Sequence, residues 1–142
     1  MAPENAEIVR RGFEDFNRGN VEGVVEMCDP AIEWFPPSEL PGGGAYHGHE
    51  GVRAAVGDML DLFGALQAEP ERVIDVGDRV VVLFRWLGHG KGSGVSLERF
   101  GAQAAIFTMR GGKVIRVEWY LDRSRALEAA GLSQQDAHAK PS

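Results

Sequence analysis

The chain has 142 residues, of which 44% are hydrophobic and 25% charged, and its net charge is −6. This length suits a single domain with its own core. An acidic chain without a basic cluster excludes nucleic acid and anionic membrane surfaces as main partners. Its N-terminal sequence has no signal-peptide pattern, and no apolar stretch is long enough to span a bilayer. We therefore expect a cytoplasmic protein.

The single cysteine, Cys28, rules out an internal disulfide. It lies on an apolar helix face, which indicates a small core residue and not a nucleophile. No pair of histidines has the helix-face spacing of metal ligands. We predict no metal site and no cofactor.

The first part of the chain reads as a helical hairpin followed by a short strand. Apolar residues at helical spacing predict a helix from Pro3 to about Arg18, with Gly19 as its C-cap. Asn20 then caps a second helix. The stretch "AIEWF" predicts a strand that ends at Pro36-Pro37.

The segment "SELPGGGAYHGH" is rich in glycine and proline, so we predict a loop. A third helix follows from about Glu50 to Phe63. Beyond it, "RVIDV" and "RVVVLFRWLG" flank Gly77-Asp78, which suits a two-residue hairpin turn.

A second hairpin joins "LERFGAQAAIFTM" to "KVIRVEWYL" through Gly111-Gly112. A short last helix, "RSRALEAAG", has Asp122 as its N-cap. Residues 133–142 read as a polar, frayed tail, so the domain spans 1–132. Helices first and antiparallel strands afterwards is the α+β pattern.

The strand from Val80 to Leu87 is almost continuously apolar, so both of its faces need cover. Helices can cover one face. Phe84 and Trp86 on the other face would form an exposed apolar patch, so we predict a homodimer through the outer sheet face.

The order of elements and four local motifs resemble SnoaL-like proteins of the nuclear transport factor 2-like superfamily. The motifs are "RGNVEGVVEM", "AIEWF", "YHGHEGVRAAV" and "GGKVIRVEWYLDRSRALEAAGL". This resemblance covers about residues 4–132. It implies a cone-shaped, curved, mixed or antiparallel sheet wrapped around three helices, with a mostly apolar pocket. Since this fold hosts unrelated chemistries, function must be argued from the site.

Catalytic positions of three related enzyme types fall mostly on residues without the required chemistry. The tyrosine and aspartate of ketosteroid isomerase correspond to Gly12 and Trp34. The aspartate of SnoaL-type polyketide cyclases corresponds to Trp119 and their histidine to Ala105. Trp119 is therefore expected to face the pocket, with Glu118 and Tyr120 on the opposite face.

Of the five catalytic positions of limonene epoxide hydrolase, only one corresponds to a matching residue in this chain. Its arginine corresponds to Arg85, but the two aspartate positions fall near Leu87 and Trp119. The water-holding pair falls near Ile32 and Trp34.

Alternation along the strands then predicts an apolar, aromatic pocket with two polar groups. The predicted inward residues are Ile32, Trp34, Val81, Leu83, Arg85, Leu87, Gln103, Ala105, Phe107, Val117 and Trp119. Phe16, Met59 and Phe63 add walls from the helices. From these sets we predict ligand contacts at Trp34, Phe16, Met59, Phe63, Leu87, Gln103, Phe107 and Trp119.

Arg85 is the leading candidate for chemistry, because an unpaired arginine cannot be buried without a large desolvation penalty. It either pairs with a structural acid, reaches solvent at the sheet edge, or binds an anionic or carbonyl-bearing ligand.

Each of the remaining candidates has both a functional and a purely structural interpretation. Trp34 and Trp119 either stack on a planar ligand or fill the core. Gln103 contacts ligand or is satisfied by neighbouring backbone. His47, near the glycine-rich loop, is either a general base or a solvated loop residue. The same choice applies to His49 and His89.

We therefore expect a dimer that binds an apolar, ring-containing small molecule. An isomerase-, cyclase- or hydrolase-type reaction would depend on Arg85 and His47. The alternative is a non-catalytic ligand-binding or protein-interaction domain.

Overall fold

A computed structural model describes residues 2–37, 44–63, 67–87 and 102–132, and within these ranges it describes the side chains of 5–37, 44–58, 67–87 and 102–132. Four helices and six strands occur in these ranges. In chain order they are α1 (Ala2–Asn17), α2 (Val21–Glu26), β1 (Cys28–Phe35), β2 (Tyr46–His47), α3 (Gly48–Phe63), β3 (Gln67–Val76), β4 (Arg79–Leu87), β5 (Ala102–Arg110), β6 (Lys113–Tyr120) and α4 (Arg123–Ala129).

The strands form one open sheet in the order β2-β1-β6-β5-β4-β3. β1 and β6 pair in parallel, and every other neighbouring pair is antiparallel. The α+β class and the mixed sheet predicted from the sequence are confirmed. The parallel pair brings the first strand beside the last, so residues far apart in sequence meet at the centre of the sheet.

Local signals explain the helix boundaries. Gly19 adopts a positive φ of 75°, which ends α1 in a conformation that glycine tolerates best. The Asn20 side chain accepts a hydrogen bond from the Gly23 amide at 3.1 Å and so caps α2. Asp122 caps α4 in the same way, through the Ser124 amide at 2.8 Å.

Two features of the chain differ from the sequence predictions. β1 begins at Cys28, ahead of "AIEWF". Within the segment predicted as a loop, Tyr46 and His47 form β2 by pairing with Trp34 and Glu33. A two-residue strand has no periodicity of its own, so only this pairing reveals it. Residues 97–101 of a predicted strand and the predicted tail, 133–142, lie outside the described residues.

The sheet has an inner face and an outer face, each with its own apolar layer. The inner face packs against α1, α2 and α3, and the outer face packs against α4. The buried inner layer of the strands comprises Ile32, Ala68, Val80, Val82, Phe84, Trp86, Ala105, Phe107, Met109, Val114 and Val117. The outer layer comprises Val81, Leu83, Ala104 and Ile106 with Ala126, Leu127 and Ala130 of α4.

This arrangement corrects the predicted faces of β4. Val81 and Leu83 belong to the outer layer, and Phe84 and Trp86 belong to the inner layer. The prediction that Val81, Leu83, Arg85 and Leu87 point inward is wrong. β4 is apolar on both faces, so its own sequence has no alternation that would fix the choice.

The predicted exposure of Phe84 and Trp86 is also wrong, since their side chains are only 3% and 8% exposed. The outer apolar layer of β4 and β5 is covered by α4 of the same chain. Exposed aromatic residues on β4 therefore give no argument for a dimer. Among the described helices, none is long and apolar enough to cross a membrane.

Candidate functional site

The inner sheet face, α1 and the end of α2 enclose a cavity of about 60 Å³. The atoms that its walls expose are all apolar. Its aromatic walls are Phe13, Phe16, Trp34, Phe84, Trp86, Phe107 and Trp119. The other walls are Gly12, Val24, Met27, Ala68, Ala105 and Val117.

A buried glutamine fixes two of the aromatic walls. Gln103, only 2% exposed, accepts hydrogen bonds through Oε1 from Trp86 Nε1 at 2.9 Å and from Trp119 Nε1 at 2.7 Å. The indoles meet edge to face with centroids 5.7 Å apart. A buried polar atom is tolerated when it is hydrogen-bonded, and here one oxygen serves two donors. The shared acceptor holds both indoles in one orientation.

Ring packing extends this fixed wall. Trp86 lies 5.3 Å from Phe84 and 5.7 Å from Phe16, measured between centroids. Phe13 packs against Phe84 at 5.8 Å. Tilted and edge-to-face contacts of this kind add to the stabilisation from burial. These rings and Trp119 therefore form one connected aromatic cluster.

Trp119 faces the cavity, as the sequence predicted, and Glu118 does not. Glu118 lies across the sheet, where Oε1 is 3.4 Å from Arg116 Nε and Oε2 accepts a hydrogen bond from the Tyr120 hydroxyl at 3.4 Å. Burial and the neighbouring Glu118 carboxylate raise the pKa of the Tyr120 phenol. The last strand thus presents an indole, and no carboxylate, to the cavity.

The other predicted ligand contacts divide into three groups. Trp34, Phe16 and Phe107 line the cavity together with Trp119. Leu87 and Gln103 do not line the cavity. Gln103 instead accepts the hydrogen bonds of the two indoles that do. The side chains of Met59 and Phe63 lie outside the described residues.

Arg85 lies on the outer side of the sheet, away from the cavity. Its Nε donates to Glu71 Oε2 at 3.5 Å. Arg123 donates to the other Glu71 oxygen, and also to the carbonyl oxygens of Gln103 at 3.1 Å and Phe84 at 3.0 Å. The predicted inward orientation of Arg85 is therefore wrong, and one of its structural alternatives, pairing with an acid, is the arrangement found.

His47 is also outside the cavity. It is exposed on β2, with Nδ1 3.8 Å from Glu33 Oε2. His49 Nε2 lies within hydrogen-bonding distance, 2.8 Å, of the Cys28 carbonyl oxygen. His47 and Arg85 do not converge with Gln103, because β2 and β4 are separated by three other strands and Gln103 lies on the inner face. His89 lies outside the described residues.

Cys28 is a buried core residue, as predicted, but it begins β1 and does not lie on a helix face. Its Sγ donates to the Val24 carbonyl oxygen at 3.4 Å. Burial raises the pKa of the thiol to about 12. Because the thiolate is the reactive form, this cysteine is a poor nucleophile near neutral pH.

These placements limit the chemistry of the cavity. None of its described wall residues can accept or donate a proton, so the wall offers shape and aromatic contact only. Over the described ranges, no group of three or more His, Cys, Asp or Glu side chains is placed to hold a metal ion.

Phe13, Met27, Phe84 and Trp86 are wall residues that the sequence reasoning missed. For the two residues of β4 a signal existed in Arg85. Placing this charge outside the core fixes Phe84 and Trp86 inside, because their side chains alternate with it.

The SnoaL-like domain family matches residues 9–117, which is most of the chain. The chain belongs to the SnoaL-like family. This SnoaL-like protein is 28% identical over 118 residues to the uncharacterised protein Rv0034 of Mycobacterium tuberculosis, covering 82% of this chain and 88% of the relative.

Solved structures agree on the fold of this SnoaL-like protein. An NTF2-like protein of unknown function from Burkholderia pseudomallei superimposes with a TM-score of 0.74 at 23% identity, covering 88% of this chain and 95% of that one. TerC, co-crystallised with polyporic acid, superimposes with a TM-score of 0.71 at 25% identity, covering 90% and 98%. The nuclear transport factor 2-like fold expected from the sequence is thereby confirmed.

Gln103→Leu should destabilise the protein by roughly 2–4 kcal/mol, because two indole N–H groups lose their acceptor in an apolar environment. Urea unfolding followed by circular dichroism measures this loss. Gln67→Leu, at an exposed position on β3, is the control and should change stability by less than about 0.5 kcal/mol. Equal effects of the two substitutions would show that the shared acceptor contributes little.

In the Glu71→Gln variant, the free energy of unfolding should fall less steeply with decreasing pH than in the wild-type protein. The Arg123 hydrogen bond, aided by Arg85, lowers the pKa of Glu71. A lowered folded-state pKa contributes stability above the unfolded pKa, about 4.3, and that stability is lost as pH falls through the folded value. Unfolding free energies between pH 7 and pH 2 test this. Glu69→Gln, an exposed neighbour, should keep the wild-type slope, and an unchanged slope in Glu71→Gln would contradict the assignment.

Proposed function

We propose that this protein binds a small, neutral, ring-containing apolar molecule in the aromatic cavity. The observation that carries the proposal is the wall itself: among the described residues, seven aromatic side chains line the cavity, and the described wall exposes only apolar atoms to it. Ligand pockets are typically concave and apolar. Aromatic walls favour ring ligands, because edge-to-face and stacked contacts add to the gain from burial.

A neutral ligand is favoured over an ion. A buried charge requires a partner or several hydrogen bonds, and the described wall supplies neither. The one buried polar side chain nearby, Gln103, already accepts from both Trp86 and Trp119. The ligand is therefore selected by shape and hydrophobicity.

Binding without catalysis is the function that this geometry supports best. An isomerase-, cyclase- or hydrolase-type reaction needs an acid or a base at the substrate. The positions that correspond to the catalytic pair of ketosteroid isomerase carry Gly12 and Trp34, and both line the cavity. TerC, a relative of the same fold, was co-crystallised with polyporic acid, which supports a small-molecule role for this cavity.

Naphthalene should bind the wild-type protein, raise its melting temperature and change its tryptophan fluorescence, since ligand binding to the native state is stabilising. Naphthalene-1-sulfonate should bind at least tenfold more weakly because its charge would be buried unpaired. Fluorescence titration and thermal unfolding measure both.

The matched variants are Ala105→Leu, which fills the cavity, and Ala104→Leu, which adds the same volume to the buried outer layer. Only Ala105→Leu should weaken naphthalene binding, by tenfold or more. Arg85→Leu should leave the affinity unchanged. Equal binding of the sulfonate, or unaltered binding by Ala105→Leu, would refute the proposal.

We also propose that the protein works in the cytoplasm as a homodimer through the outer face of β1 and β6. This part of the sheet holds the partly buried aromatic residues Phe35 and Tyr120, with the Arg116 guanidinium 4.6 Å from the Phe35 ring centroid. Large exposed apolar groups with a polar rim are typical of protein interfaces.

Sedimentation of the wild-type chain should give twice the monomer mass at micromolar concentration. Phe35→Asp should shift the equilibrium to monomer, because a carboxylate would be buried at the contact. Glu7→Lys, on the exposed part of α1, is the control and should remain dimeric. A wild-type monomer would contradict this assembly.

A further inference from the structure

The cavity is too small for the ligand class proposed above. Its volume is about 60 Å³. An apolar cavity of about 150 Å³ is known to hold benzene. A ring ligand therefore fits wholly inside this partly open cavity only if a wall moves, and the inference below rests on the proposed function.

Most walls cannot move easily. Trp86 and Trp119 are held by their shared hydrogen-bond acceptor, Gln103. Phe13 packs against both Phe84 and Phe107, with centroid distances of 5.8 and 5.9 Å. Displacing one of these rings would break contacts to its neighbours, so the aromatic wall acts as the fixed part of the cavity.

Met27 is the wall residue suited to move. Its side chain is unbranched and has several rotatable bonds, and it is only partly buried. Its backbone is anchored at the C-cap of α2, where its carbonyl oxygen accepts the Val114 N–H at 2.9 Å. The side chain can therefore change rotamer while the backbone and the strands stay in place.

Gly12 provides the seat of this side chain. A Cβ atom at position 12 would lie 2.3 Å from Met27 Sδ and 2.8 Å from Met27 Cε. These distances are far below van der Waals contact, so the thioether occupies the space of a missing side chain. Glycine is unfavourable inside a helix such as α1. Its presence at position 12 is explained by the Met27 side chain, which occupies the space that a larger residue would need.

We propose that Met27 is a movable plug that leaves its seat on Gly12 to admit the ligand and thereby sets the size of ring that the cavity accepts. The closed position corresponds to the cavity of about 60 Å³. When the Met27 thioether moves aside, the volume that it occupied is added to the cavity. Met27 is thus a specificity-determining residue for ligand binding.

The affinities of benzene and naphthalene for wild type and Met27→Ala test the plug. Removing the side chain should tighten naphthalene binding at least tenfold and benzene binding less, because the larger ring needs more of the plug's volume. Met109→Ala is the control: this methionine is buried on the inner face but does not line the cavity. It should leave the ratio of the two affinities unchanged.

Gly12→Ala tests the seat. It should change naphthalene affinity at least fivefold when Met27 is present and less than twofold in the Met27→Ala background, since the coupling acts through the thioether. In the wild-type protein, the ¹³C resonance of the Met27 methyl group should shift on saturation with naphthalene as the group leaves its position among the rings.

The outcomes distinguish a failure of the Met27 plug from a failure of the proposed ligand-binding function. If wild type binds naphthalene but Met27→Ala keeps the same affinity ratio and the Met27 methyl resonance does not move, the plug is refuted and ligand binding stands. If neither wild type nor Met27→Ala binds either ring, the proposed function itself is refuted.

Discussion

The hydrogen bonds from two indoles to one amide oxygen determine how the centre of this protein is arranged. Trp86, Gln103 and Trp119 come from β4, β5 and β6, so the shared acceptor joins three neighbouring strands on their inner face. If any of these strands were shifted by one residue, its member of the trio would point to the other face. The indole N–H groups would then lack an acceptor. The same contact that fixes the sheet also builds the cavity wall.

The wall residues that the structure describes include no acid or base. The polar atoms that orient the two tryptophans hydrogen-bond to one another, since both indole N–H groups donate to Gln103 Oε1. The rings therefore present only apolar atoms to the cavity. The positions that the family resemblance assigns to the catalytic pair of ketosteroid isomerase carry Gly12 and Trp34 in this chain, and both line the cavity. A shared fold with different wall residues can therefore support binding where relatives support catalysis.

Arg85 of β4 lies on the outer side of the sheet, because Phe84 and Trp86, which flank it, lie on the inner side. Glu71 bridges Arg85 and Arg123, and Arg123 also donates to the backbone of β4 and β5. These bonds connect the start of α4 to the strands that carry the cavity walls on their inner face. An arginine that looked like a binding group in the sequence thus takes part in holding the sheet and its outer helix together.

The sequence by itself determined most of the elements, the α+β class and the faces of β1, β5 and β6. These follow from local causes: Asn20 and Asp122 cap helices, glycine pairs make hairpin turns, and alternation or resemblance placed Trp119 inward. The tertiary structure alone decided the two-residue strand β2 and the seat of Met27 on Gly12, and it decided the face of β4, for which the charge of Arg85 was the one signal in the sequence. β4 is apolar on both sides, so its orientation depends on which partner its side chains meet, namely Gln103 or α4. The fit between a missing side chain and a methionine from another element is likewise a property of packing, which no local pattern encodes.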